Sequence, residues 1–177
     1  MKKYSITIIL LVFLSTFCLT DCEQEKKEEE APETVIPTEY VDSIGAHAHL
    51  IELQVNTADY NKSDGKKKWK FTGQAADVAD SSFTTVVGPG DRVIWVGVSS
   101  SSEEDKVEIT KIKYKYGDEL LTKSTITGNN GVVVGDIVND IDSGAVAKYE
   151  LEGKVIINGK EELDPIEIDP KLRIHDD

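Results

Sequence analysis

Cysteine, histidine and methionine are scarce in this 177-residue chain: 2 Cys, 3 His and 1 Met. That scarcity excludes most thiol redox chemistry and most soft-metal centres. Cationic residues are also in the minority, with 20 Lys and Arg against 33 Asp and Glu and a formal net charge of -13. A surface that acidic is poorly suited to displacing counterions from phosphates, so no nucleic acid partner is expected. No window carries a sustained helical stripe of apolar residues. No repeat of fixed period is present either, which argues against a propeller or solenoid. What remains, 39% hydrophobic and 30% charged residues, suits one globular domain rather than several.

The N-terminal segment reads as an address. Lys2 and Lys3 form a positive n-region, Ile6 to Phe13 is almost unbroken apolar sequence, and Leu14 to Leu19 continues it with smaller residues. The run falls short of the roughly 20 apolar residues of a comfortable membrane span, and fits a secretory signal peptide. Both cysteines, Cys18 and Cys22, lie at its end. Leu19-Thr20-Asp21-Cys22 resembles the lipobox of bacterial lipoproteins, in which a peptidase cuts before the Cys and the thiol carries a diacylglyceryl group. That family places Gly, Ala or Ser where Asp21 stands, which leaves the exact cut open. The resemblance implies a signal peptide over 1–21, lipidation of Cys22, a membrane as partner through that lipid, and residence in the cell envelope at the outer membrane. An ordinary cleaved signal, or an uncleaved anchor with an incidental Cys, is the plainer alternative.

From Glu23 to Glu30 there is no apolar residue, and Ala31 to Pro37 adds two prolines. Such a stretch cannot bury itself and works as a spacer, so 22–39 is assigned to a lipidated, acidic tether. Acidic residues directly after the Cys also resemble the surface-export signal of some Gram-negative lipoproteins. A solvated tail without address information fits the same residues.

Residues 40–177 are expected to form one domain, long enough for its own core. They contain no Cys, so burial rather than disulfides must hold the fold. Their periodicity is two. His49, Ile51, Leu53 and Val55 share one parity, as do Ala147, Tyr149, Leu151, Val155 and Ile157, while Val93 to Val98 is apolar on both faces around Trp95. Val107 and Ile109 fall on one phase, and Ile112, Tyr114 and Tyr116 on the other, the mark of a β-bulge. Asp64-Gly65, Gly88-Pro89-Gly90, Asn129-Asn130-Gly131 and Asn158-Gly159 punctuate the runs with turn residues. Pro165 and Pro170 break the last segment, predicting an edge strand or an extended tail. The expected fold is all-β: a single antiparallel β-sandwich, immunoglobulin-like or cupredoxin-like. Val86-Val87-Gly88-Pro89-Gly90-Asp91-Arg92-Val93-Ile94-Trp95 resembles the V-x-x-G-D-x-V-x-W strand of cupredoxin-like sandwiches. That resemblance implies architecture only, because the domain has neither the Cys nor the Met of a blue copper site.

Few residues suggest chemistry. His47 and His49, two apart on a strand, would present two imidazoles on one face to a metal, with His175 or a carboxylate as third ligand. His47 in a loop with His49 packed at a sheet rim is the structural alternative. Asp136, Asp140 and Asp142 with Gly144 make an oxygen-rich turn of the kind Ca²⁺ favours, although Leu151 stands where an EF-hand places its Glu. Ser99 to Ser102, followed by acids, lacks a G-x-S-x-G elbow and reads as a loop. Lys66-Lys67-Lys68 beside Trp69 is the main basic cluster. It could touch an acidic polymer or lipid headgroup, or be a solvated strand end. No cofactor is implied. Two function classes follow: a lipid-anchored, non-enzymatic binding or structural sandwich with an unknown envelope protein or extracellular ligand as partner, or an envelope metal-dependent enzyme or metal-binding protein centred on His47 and His49.

Overall fold

The computed structural model describes residues 47–63, 66–75, 78–163 and 165–176. The signal segment, Cys22, the tether and the Asp64-Gly65 turn lie outside the described residues. Eleven strands are described: β1 Ala48–Val55, β2 Trp69–Phe71, β3 Thr84–Val87, β4 Arg92–Ser99, β5 Lys106–Gly117, β6 Thr125–Thr127, β7 Val132–Asp136, β8 Val146–Ile157, β9 Lys160–Glu161, β10 Ile166–Ile168 and β11 Lys171–Ile174. The only helical pieces among the described residues are two 3-10 turns, Thr57–Asp59 and Asp80–Ser82. No described helix is long and apolar enough to cross a membrane.

The strands form two sheets packed as a sandwich. One has four strands in the order β2-β1-β4-β7. The other has seven: β3-β11-β8-β5-β6, with β10 and β9 also paired to β8. Alternation explains which side chains fill the space between them. Ile51, Leu53 and Val55 of β1, Val93 and Trp95 of β4, and Val133 of β7 are buried from one side. Val107, Ile109 and Ile112 of β5, Ala147, Tyr149, Leu151 and Val155 of β8, and Leu172 and Ile174 of β11 are buried from the other. Trp95, fully buried, donates from Nε1 to the Tyr149 hydroxyl at 2.9 Å. The two rings meet edge to face with centroids 5.6 Å apart. The pair therefore joins the layers through both apolar contact and a satisfied indole N–H. Burial pushes the Tyr149 phenol far above its ordinary value, and the bond from Trp95 opposes this only in part.

The local signals behave as their chemistry requires. Asn130 and Gly131 both have positive φ, 50° and 80°, as do Asn158 and Gly159, at 50° and 75°. These are the angles of type I′ hairpins, and they return β6 to β7 and β8 to β9. The phase slip in β5 is a register shift against β8 between Ile109 and Lys111. Gly97 on β4 sits where a Cβ would lie 2.5 Å from Val107 Cγ1 and 2.8 Å from the Val107 carbonyl oxygen. Its lack of a side chain lets the two sheets approach at that point.

Three expectations are corrected in detail. The sandwich is not wholly antiparallel: β1 runs parallel to β4, and β11 parallel to β3. The last segment is an edge only in part: β10 pairs with β8 alone, whereas β11 lies between β3 and β8. Pro165 and Pro170 fall just before β10 and β11, so their missing N–H groups fall outside both strands, and the Pro170 carbonyl accepts the Tyr149 N–H at 3.1 Å. Tyr116 does not continue the buried face of Ile112. A second register shift between Tyr114 and Tyr116 leaves it 60% exposed, with Lys148 Nζ 5.6 Å from its ring centroid.

Candidate functional site

The histidine pair separates by environment. His47 is exposed just before β1, and its carbonyl accepts the Arg92 N–H at 2.9 Å. His49, inside β1, is half-buried, and its Nε2 lies 2.6 Å from Asp91 Oδ2. Asp91 is one of the two buried polar residues of the described core. The same Oδ2 accepts the Gly88 N–H, and the Asp91 carbonyl accepts the Ile137 N–H at 2.8 Å. The Asp91 carboxylate thus ties β1 to the β3–β4 turn, and its main-chain carbonyl holds the residue that follows β7. The signal for it was the Gly90-Asp91 step of the V-x-x-G-D pattern, which the spacing of apolar residues treats as a plain turn.

The oxygen-rich turn is likewise divided. Asp136, the last residue of β7, accepts from Arg92 Nε at 2.7 Å. Asp140 and Asp142 are exposed on the following loop, where the Asp142 carbonyl closes a turn with the Ala145 N–H. The His175 N–H donates to the Val87 carbonyl at 3.0 Å. Among the described residues, no group of three or more His, Cys, Asp or Glu is arranged to hold a metal ion.

The serine run is built into a hydroxyl cluster. Thr57, 3% exposed, places its Oγ1 2.7 Å from Ser99 Oγ and 3.0 Å from Ser101 Oγ. Ser101 Oγ accepts the Ala58 N–H, and Ser99 Oγ accepts the Ser102 N–H. These contacts fasten the 3-10 turn after β1 to the end of β4. Thr57, with the Asn158 backbone N–H and Ser102, also holds the Asp105 carboxyl below its ordinary value, against a smaller opposing effect of desolvation.

The basic cluster forms the wall of a cleft. Where β1 ends and the short edge strand β2 begins, Gln54 stands opposite Lys70, and the Asn56 N–H donates to the Lys68 carbonyl at 2.7 Å. The Ser100 N–H donates to the Val55 carbonyl at 2.8 Å. Three chain segments therefore converge on an open cleft of about 330 Å³ lined by Gln54, Asn56, Lys68, Trp69, Lys70 and Ser100, among others. Trp69 follows the buried parity of β2: its Nε1 donates to Asp80 Oδ2 at 2.9 Å, and its ring lies 6.5 Å from that of Tyr60. Lys67 pairs with the other oxygen of Asp80. Sequence reading found these lysines but not Gln54, Asn56 and Ser100, which are brought to them by pairing across the sheet.

No protein-family model matches the chain, and no curated protein sequence matches it significantly. Among solved structures, the chain is similar to the inclusion body protein PixA from Burkholderia cenocepacia J2315, with 10% identity and a TM-score of 0.44, over 75% of this chain and 96% of that one. Fet3p, a multicopper oxidase that functions in iron import, matches at 12% identity and a TM-score of 0.32, over 74% of this chain and 29% of its own. A mutant of the laccase from B. aclada matches at 13% identity and a TM-score of 0.32, over 72% and 29%.

Proposed function

We propose that this chain is a lipid-anchored protein of the bacterial cell envelope whose β-sandwich works without catalysis, as a binding or structural module. The anchor rests on the Lys2-Lys3 n-region, the apolar run that follows it, Cys22 at its end and the polar tether beyond. The module rests on one observation: side chains with chemical potential are engaged in holding the fold. His49 is bonded to the buried Asp91, Ser99 and Ser101 to the buried Thr57, and Asp136 to Arg92. A nucleophile or general base needs an aligned reacting partner, and these groups have structural ones.

Metabolic labelling with a fatty-acid probe should mark the wild type and not Cys22→Ala. Equal labelling of both would remove the anchor, and loss only in Cys18→Ala would move it. Purified protein should turn over no ester, peptide, glycoside or phosphate substrate. Stoichiometric zinc or copper that disappears in His47→Ala/His49→Ala, together with an activity, would instead establish the metal-dependent alternative.

A further inference from the structure

We propose that the outer face of the seven-stranded sheet, where Lys148, Lys171 and Arg173 meet Tyr116 and Val86, docks against the phosphate headgroups of an anionic bilayer. This deepens the binding-module proposal and rests on its placement of the chain beside a membrane. It adds a contact made by the folded domain to the one expected through Cys22.

Charge pairing is the first argument. Along β5 and β8 the outward residues meet opposite charges in register: Glu108 stands across from Lys154, Lys111 from Glu152 and Lys113 from Glu150. The rule breaks at Lys148. Its register partner on β5 is Tyr116, and its partner on β11 is another lysine, Lys171. Like charges directly opposite one another weaken a sheet, since their Cβ atoms are only about 5 Å apart. Neither lysine makes an ion pair among the described residues, although the chain has 33 Asp and Glu for 20 Lys and Arg. Lys148 Nζ lies 5.6 Å from the Tyr116 ring centroid, a contact that leaves its charge uncompensated. The carboxylates that flank the pair are occupied: Glu150 and Asp169 hold Lys115, Asp176 holds Arg173, and Asp118 Oδ2 accepts the Val146 N–H at 2.7 Å. Two adjacent ammonium groups without a counterion are suited to grip one phosphate between them.

The shape and the apolar rim are the second argument. Register sets Tyr116, Lys148, Lys171 and Thr84 in one row across β5, β8, β11 and β3, with Val146, Arg173 and Val86 in the next. Both lysines are half-buried, their stems lying on the sheet with the charged heads toward solvent. Tyr116 is 60% exposed and Val86 43%, and they bound the cations from strands three spacings, about 14 Å, apart. A tyrosine and an aliphatic side chain beside cations match the boundary between headgroups and acyl chains. An acidic polymer would leave both without apolar contact. The larger cavities are lined by other residues, so the cations lie on an open face that meets a surface rather than encloses a small anion. The net charge of -13 does not forbid the contact. Fields fade within about 8 Å at physiological ionic strength, so the residues that face the bilayer decide the sign.

The test uses the full chain reconstituted in vesicles, with lysine acetylation read residue by residue by mass spectrometry. On phosphatidylcholine vesicles containing phosphatidylglycerol, Lys148 and Lys171 should react about tenfold more slowly than on phosphatidylcholine alone. Lys123 and Lys160 should react equally on both. The protection should vanish in about 1 M salt, where the screening length shrinks to about 3 Å. Inorganic phosphate without vesicles should not protect. Lys148→Glu, which sets an acid opposite Lys171, should abolish the protection of Lys171 while holding or raising the thermal midpoint, because it replaces a like-charge pair by an opposite one. Equal acetylation on the two kinds of vesicle, full protection by inorganic phosphate or polyglutamate alone, or a midpoint that falls in Lys148→Glu would each overturn the assignment. Fatty-acid labelling decides the anchor separately: protection without labelling keeps the face and removes the anchor, and labelling without protection does the reverse.

Discussion

The outer faces of the two sheets are written in different chemistry, although their inner faces obey one rule. On the seven-stranded sheet, the long antiparallel pair β5/β8 carries oppositely charged residues directly across from one another. Glu108 stands opposite Lys154, and Lys111 opposite Glu152, and both pairs close as ion pairs. On the four-stranded sheet the corresponding row is apolar: Leu50, Ile94 and Val134 are register partners across β1, β4 and β7. Leu50 is 53% exposed and Val134 42%. Inward residues are dictated by the shared core, so both sheets alternate. Outward residues are constrained only by solvent and by whatever meets that face. Away from Lys148 and Lys171, the charged face is the ordinary solution for a sheet in water. The apolar row and the lysine cleft share the other sheet.

The comparison predicts that the largest losses come from the core the sheets share. Trp95→Ala should cost about 3–5 kcal/mol in urea denaturation, because it removes a fully buried aromatic and strands the Tyr149 hydroxyl. A midpoint unchanged from wild type would mean that the two layers are not joined there. Next in size is the close contact between the sheets at Gly97. Gly97→Ala should cost about 1–3 kcal/mol, since the new methyl group meets the Val107 side chain and its backbone oxygen. If Gly97→Ala were neutral, the sheets would have to be able to separate locally without penalty.

The smallest effect should distinguish the outer faces themselves. Glu108 first, then Glu161, raises the pKa of Lys154 above its ordinary value of 10.5. Asp169, then Glu150, does the same for Lys115. The folded state therefore favours the charged forms. That contribution is fully present below the unfolded value and is lost as pH rises through the folded one. Denaturation midpoints should fall slightly on the alkaline side, and Lys154→Gln should flatten the fall. Leu50→Thr, in the apolar row of the four-stranded sheet, should leave the alkaline response as it is in the wild type. An equal change in both variants would erase the distinction between the sheets.

Much of this architecture was legible because its causes are local. The single parity of Ala147, Tyr149, Leu151 and Val155 marks the buried face of β8, and all four are buried. The slip after Ile109 marks a bulge, and Asn130-Gly131 and Asn158-Gly159 supply the positive φ of their turns. The doubly apolar run around Trp95 announces an interior strand, and β4 lies between β1 and β7. Tyr116 was misplaced for a reason of the same kind: a second register shift, five residues after the first, leaves no trace in the apolar pattern. The candidate sites were less legible. His47 and His49 share a parity, yet what His49 meets is Asp91, 42 residues away.

Side-chain alternation, turn chemistry and the absence of cysteine are properties of neighbouring residues. The sequence by itself therefore determined that the domain is all-β, which faces are buried, and that burial alone holds it. Which strands lie side by side depends on segments that meet only after long excursions of the chain. Only the tertiary structure decided that β1 runs parallel to β4, that β11 enters between β3 and β8 despite its flanking prolines, and that Asp91 is buried beneath His49. It likewise brought Gln54, Asn56 and Ser100 to Lys70 of β2 and the lysines before it, because a cleft is made by residues whose backbones pair across a sheet and whose positions in the chain give no sign of it.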